Sequence, residues 1–163
     1  MEEWRDILEF PGYSVSDYGY VRNEDTGRLM TLHQNQTGVV NVSLMRNRTQ
    51  YKRGVANLVA TTFMERRPQP AFDSVINLDG DRLNNRVDNL LWRPKWFTIK
   101  YFQQFRVGRI SYPRPIEDLE TEEPFESSWD AATRIGLLDQ QILSSVMNRE
   151  VVWPTQQRFR PIR

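Results

Sequence analysis

The chain predicts an α+β fold: a small antiparallel β module, a strand–strand–helix (ββα) unit and a C-terminal helix-turn-helix. Three observations carry this expectation. Apolar and polar residues alternate with period two around tight turns through residues 1–50. Two stretches, 55–63 and 95–107, return apolar residues at helical spacing. Residues 125–146 set caps, a small residue, a glycine and an apolar residue where two crossing helices need them.

In the β module, Tyr13 and Val15, then Tyr20 and Arg22, alternate along two short strands, and Asp17-Tyr18-Gly19 supplies the turn between them. A second hairpin follows, with Val40, Val42 and Leu44 on one face and Asn41 and Ser43 on the other. Val55, Leu58, Val59 and Thr62 or Phe63 then mark one face of a helix, which Pro68 and Pro70 close off. Residues 72–78 read as a strand, Asp79-Gly80-Asp81 as a turn, and the asparagine-rich stretch 84–89 leads to a partner strand ending at Trp92. The helix over 95–107 is expected to bury Trp96, Ile99, Phe102 and Gln103. Residues 113–123, rich in acids, read as a solvated linker. Beyond it, Ser127 or Ser128 caps one helix, Ala132 sits at the crossing, Gly136 takes a left-handed turn, Asp139 caps the second helix and Ile142 returns to the core.

Composition narrows the function. Of 163 residues, 39% are hydrophobic and 12% aromatic, enough for packed cores. No apolar run reaches the ~18–20 residues of a transmembrane helix, so no membrane partner is expected. The start Met1-Glu2-Glu3-Trp4-Arg5 lacks an apolar stretch, so secretion is not expected. The absence of cysteine excludes disulfides, zinc knuckles and thiol nucleophiles, and it fits a reducing cytoplasm. The net charge is +1, a weak argument for nucleic acid, but only Lys52, Lys95 and Lys100 are lysines and every other basic residue is arginine. The planar arginine fork suits phosphate and guanine. There is no glycine-rich phosphate loop, the only histidine, His33 between Leu32 and Gln34, reads as a loop residue, and the serine pairs Ser127-Ser128 and Ser144-Ser145 lack a histidine partner.

The segment 74–92, with Asn77-Leu78-Asp79-Gly80, Asn84-Asn85 and Asn89-Leu90-Leu91-Trp92, resembles the core of phage-type HNH homing endonucleases. That core usually reads Asp/Asn-His-x-Asp-Gly, then Asn-Asn, then Asn-Leu-Glu-Trp. Trp4, Ile7, Gly12-Tyr13, residues 15–19 and Val21-Arg22 resemble NUMOD4, a module found ahead of such cores, and the C-terminal segment resembles the DNA-binding module NUMOD1. The resemblance implies a NUMOD4-like β module at 1–50, an HNH-like ββα domain at 51–112, the acidic linker at 113–123 and a helix-turn-helix with a basic tail at 124–163.

An HNH centre needs a general base and a divalent metal. The resemblance assigns the base to position 77 and metal ligands to position 76 and about position 98, where this chain has Asn77, Ile76 and Thr98. A carboxamide has no basicity near neutral pH, and isoleucine has no donor atom. Asp79, Asp81 and Asp88 have the oxygen chemistry for magnesium, but turn formation is the stronger reading. Asn84, Asn85 and Asn89 are expected to hold the loop through backbone hydrogen bonds.

The expected function is therefore binding of double-stranded DNA without cutting, as a regulatory or accessory factor in the cytoplasm of a phage-infected cell. No cofactor is expected; magnesium enters only in an alternative reading as an active nicking enzyme. Arg82, Arg86 and Arg93 are expected near phosphates of the minor groove. Gln140, Gln141, Ser144, Asn148 and Arg149 are expected in the major groove. Further phosphate contacts are expected from Arg46, Arg48, Lys52 and Arg53, and from Lys95, Lys100, Arg106 and Arg109. A protein complex is the other candidate partner, through the aromatic stretch Trp96-Phe97, Tyr101-Phe102 and Phe105.

Overall fold

Short strands joined by tight turns build the N-terminal part of the chain. The computed structural model describes every residue from Met1 to Arg163 and divides it into two units, residues 1–95 and 96–163. In the first unit, β1 (Trp4–Asp6), β2 (Tyr13–Ser16) and β3 (Val21–Asn23) form an antiparallel sheet with β2 in the centre. A second sheet has β5 (Val40–Arg46) between β4 (His33–Gln34) and β6 (Thr49–Gly54). Val40, Val42 and Leu44 are buried, as their alternation predicts. Arg46 pairs with Thr49, so the loop between β5 and β6 is only Asn47-Arg48. Both residues adopt positive φ, which lets a two-residue loop follow the strand twist.

Helix α1 (Val55–Phe63) has the predicted bounds and packs on β2, β5 and β6. It also packs on the hairpin of β7 (Ser74–Asn77) and β8 (Leu90–Arg93), in which Val75 faces Trp92 and Asn77 faces Leu90. Phe10, Val15, Val21, Val42, Leu44, Val59 and Leu90 belong to one buried cluster. The β module and the hairpin thus share a core. Sheets of two or three short strands expose too much apolar surface to stand alone, and α1 covers several of them at once.

In the second unit, α2 (Lys95–Val107) again has the predicted bounds. The strands β9 (Ile116–Asp118), β10 (Pro124–Phe125) and β11 (Phe159–Pro161) form an antiparallel sheet with β9 in the middle. Helices α3 (Ser128–Ile135) and α4 (Asp139–Asn148) pack on it around Ile116, Phe125, Ala132, Ile142 and Phe159. None of the four helices is long and apolar enough to cross a membrane.

The fold corrects two expectations. Residues 113–123 are not a plain linker. They contain the central strand β9, with Ile116 in the core and Asp118 buried. The acids concealed the strand because most of them lie on its outer face or in the turn after it. The buried face of α2 is Phe97, Thr98 and Tyr101, while Trp96 and Ile99 are each 51% exposed. This helix carries apolar residues all round, so spacing alone does not select a face. Rings from later in the chain pack along it: Trp153 lies 5.8 Å from Phe97 and 5.1 Å from the half-exposed Trp96, and Trp129 lies 4.8 Å from Phe105. The basic tail is docked on this sheet: Phe159 is buried, and β11 pairs with β9 along its length.

Asp118 ties this sheet together. Burial pushes its carboxyl upward in pKa, but the backbone N–H groups of Thr121 and Glu120 and the Gln157 amide outweigh it, and the value is lowered. A lowered folded pKa stabilises the fold above the unfolded carboxylate value of ~4 and loses that effect as pH falls through the folded value. Asp118→Asn is expected to lower the urea midpoint of the second unit at neutral pH. The gap to the unsubstituted chain should close in acid below about pH 4; a gap independent of pH would contradict this role.

Candidate nucleic-acid interface

The hairpin loop at 78–89 runs without regular structure apart from one 3-10 turn, Val87–Asn89. Its backbone groups still need partners, and side-chain amides provide them. Asn77, 3% exposed, donates through Nδ2 to the Asn84 carbonyl and to Asn85 Oδ1, both at 2.8 Å. Asn85 donates to the Arg82 carbonyl at 3.1 Å, and Asn89 to the Asn84 carbonyl at 2.8 Å and to Asp79 Oδ1 at 2.9 Å. Asp79 also accepts from Asn84 Nδ2 at 2.8 Å and from the Asp81 N–H at 2.9 Å. Asp81 accepts from the Leu83 N–H at 2.9 Å. Burial raises the Asp79 pKa, but the amides of Asn84 and Asn89 and the Asp81 N–H together lower it.

Both aspartates of Asp79-Gly80-Asp81 therefore serve the turn. The turn itself rests on the β module: Val87 N–H donates to the Asp17 carbonyl at 2.9 Å. Gly19, at φ 91°, lies so close that an added Cβ would meet Asn85 Cβ and its carbonyl oxygen at 3.1 Å. A side chain at position 19 is thus excluded by both sterics and backbone conformation.

The donor set does not fit a divalent cation. Ile76 is fully buried and has no donor atom, and the Asn77 amide nitrogen is turned onto two oxygen acceptors. Asp88 pairs with Arg86 at 3.8 Å, and no three His, Asp or Glu side chains gather anywhere in the chain. Thr98 is buried in α2. His33 is exposed and pairs through its backbone in β4.

The predicted basic residues separate into several environments. Arg46 and Arg53 converge on Glu9, at 3.7 and 2.9 Å, and lie over the rings of Phe10 and Tyr51. Arg48 and Lys52 are exposed on the same hairpin. Arg86 stacks over Tyr18 at 3.9 Å, and the Arg82 stem runs against Gly38. Arg93 corrects its expectation: it is 7% exposed and donates to the Trp92 carbonyl, so it is part of the packed interior. Lys95, Lys100, Arg106 and Arg109 are exposed. Lys100 and Arg109 border a cleft of about 330 Å³ with Gln140 and Gln141.

Helices α3 and α4 meet as their spacing predicts at one end. Ser127 Oγ accepts from the Asp130 N–H at 3.1 Å, and Gly136 ends α3 at φ 82°. Asp139 differs from expectation. Its buried carboxylate accepts from the Ser111 N–H at 2.8 Å and from Ser128 Oγ, so it locks α4 to α3 and to residue 111 instead of capping its own helix. With Ile142 and Ser145 buried, α4 turns Gln140, Gln141, Met147 and Asn148 outward, with Ser144 half-buried among them. Met147, 66% exposed, escaped the sequence reading because an apolar residue suggests core. Its spacing of three from Ser144 and seven from Gln140 puts it on the polar face.

Residues 2–45 match the model of the NUMOD4 motif. Two curated proteins of Acanthamoeba polyphaga mimivirus are similar to the chain. "Uncharacterized HNH endonuclease L245" is 34% identical over 91 residues, 55% of this chain and 26% of that protein. "Uncharacterized HNH endonuclease L247" is 34% identical over 144 residues, 83% of this chain and 36% of that protein. The chain thus spans about a quarter to a third of the length of these relatives. A solved structure titled "DNA binding and cleavage by the HNH homing endonuclease I-HmuI" aligns with a TM-score of 0.55 over 98% of both chains at 21% identity, a likeness of fold.

The hairpin network predicts that Asn77→Ala, which leaves Asn85 Oδ1 without its donor and removes one of the two donors to the Asn84 carbonyl, costs about 1–3 kcal/mol. Urea unfolding of the full chain reads the loss, and amide exchange at Gly80 and Asn84 should speed up with it. An unchanged midpoint would show that Asn77 does not hold the loop.

Proposed function

We propose that this chain, whose NUMOD4 motif, curated relatives and fold support an HNH-type homing endonuclease family, binds duplex DNA without cutting it. The observation that carries the reading is the Asn77 amide. At the position the family resemblance gives to the general base, a buried carboxamide holds the loop together, beside an isoleucine that offers no ligand. Proton abstraction needs a group with a pKa near the working pH, and the hairpin supplies none. What remains is a set of binding surfaces.

The polar face of α4 is the best suited to read sequence. Gln140, Gln141 and Asn148 present amides that pair bidentately with adenine, and Met147 offers an apolar contact for a thymine methyl group. Arg48, Lys52, Arg86, Lys95 and Lys100 are placed on the surface for phosphate contacts that hold position and not sequence. A chain with these parts acts as a regulatory or accessory factor at its DNA site, and the viral relatives favour an infected cell as the setting. The half-exposed Trp96 and Ile99 favour a protein partner as the second reading; such an interface would respond little to salt.

Fluorescence anisotropy on duplexes across a salt series, with and without magnesium, tests the reading, and a gel of the same samples reports nicking. Binding that weakens steeply with salt and leaves the duplex intact is expected. A nicked product in magnesium would overturn the non-cutting assignment, and no binding at low salt would overturn the DNA assignment. Gln140→Ala and Gln141→Ala should each reduce discrimination between sites by about 1–3 kcal/mol and leave the salt slope unchanged.

A further inference from the structure

We infer that the arginine-lined cleft at the C-terminal end of α4 holds the phosphodiester backbone of duplex DNA, which makes β11 part of the binding surface. The inference rests on the duplex-binding reading and adds to it a site outside the recognition face of α4.

The cleft encloses about 790 Å³ and is bordered by Arg149, Arg158, Arg160 and Arg163, by the apolar Val146 and Phe159, and by one acid, Glu117, which Arg160 engages. Arg158 immediately precedes β11 and Arg160 lies in it, one on each side of the buried Phe159, and both are exposed. Arg149 ends α4 in the left-handed conformation, at φ 59°. Arg160 has acidic partners, Glu117 at 2.8 Å and Glu122 at 3.7 Å. Arg149, Arg158 and Arg163 have none within 4 Å. Three guanidinium groups without a carboxylate partner beside one cleft are free to pair with a polyanion. Each fork matches two phosphate oxygens at once. The volume exceeds what a single phosphate fills and suits a length of backbone.

The position along α4 favours duplex DNA over other anions. Ten residues make a helix about 15 Å long. The cleft with Lys100 and Arg109 borders its first turn, and the arginine cleft borders its last. The major groove is about 12 Å wide, so a helix lying in it brings basic groups at its two ends toward the phosphates of the two strands.

The test uses the full chain, a random-sequence DNA duplex and a triple variant, Arg149→Gln with Arg158→Gln and Arg163→Gln. The slope of log K against log salt is expected to fall by about 2–3, roughly 0.9 for each phosphate no longer neutralised. Affinity should drop alike on all duplex sequences, with circular dichroism and melting unchanged. The matching triple lysine variant, which keeps the charges, should retain most of the slope, and this separates charge from a fault in folding. If the unsubstituted chain binds duplex DNA and the glutamine variant keeps its slope, the cleft assignment falls and the duplex reading stands. If the unsubstituted chain binds no duplex, both fall. Tighter binding of single-stranded RNA or of a poly-glutamate peptide, lost in the glutamine variant, would give the cleft to another polyanion and overturn the inference.

Discussion

The amide of Asn77 is the constraint on which the hairpin depends. A twelve-residue loop without sheet or long helix must satisfy its backbone from side chains. One carboxamide nitrogen carries two protons, so Asn77 donates to the Asn84 carbonyl and to Asn85 Oδ1 from a single atom. A neutral imidazole nitrogen donates at most one proton. Asparagine is therefore better than histidine at closing this loop and useless as a base. A double donor and a base are different demands on one side chain, and Asn77 is the double donor.

The loop so fixed is also the platform for the N-terminal module. Gly19 packs against the Asn85 backbone, the Asp17 carbonyl takes the Val87 N–H, and Arg86 lies over Tyr18. Turn and loop hold each other in place. Together with α1, whose apolar face touches several short strands, this explains why residues 7–90 share one buried cluster. The NUMOD4 motif and the hairpin are separate in sequence but not in energetics, since neither buries a core alone.

How much of the fold was legible depended on whether a signal was local. The bounds of α1 and α2 followed from periodicity, and Ser127 and Gly136 from capping chemistry, because one turn of chain decides each. The asparagines at 84, 85 and 89 were read correctly as loop holders from their side-chain chemistry. The buried face of α2 was not legible, since the helix carries apolar residues all round and its ring partners Trp129 and Trp153 lie far along the chain. Strand β9 was hidden because only Ile116 advertises a core position, and its neighbours pair with β11, some forty residues later. Asp139 matched a capping pattern, yet tertiary partners Ser111 and Ser128 claimed its carboxylate.

Charge follows the same rule. A formal net charge of +1 suggests a surface with little attraction for polyanions. The structure distributes that total unevenly. Asp79 accepts the N–H donors of its own exposed turn and the buried Asp118 those of the turn after β9, Glu9 answers Arg46 and Arg53, Glu123 answers Arg134, and Glu117 and Glu122 answer Arg160. Much of the negative charge is thus taken up by turns or by neighbouring arginines, and Arg149, Arg158 and Arg163 are left uncompensated in one cleft. Screening limits exposed charges to a reach of about 10 Å at moderate salt, so a polyanion senses that local cluster and not the sum over the chain. In a near-neutral protein of this kind, attraction for a polyanion is confined to the few places where carboxylates are engaged elsewhere.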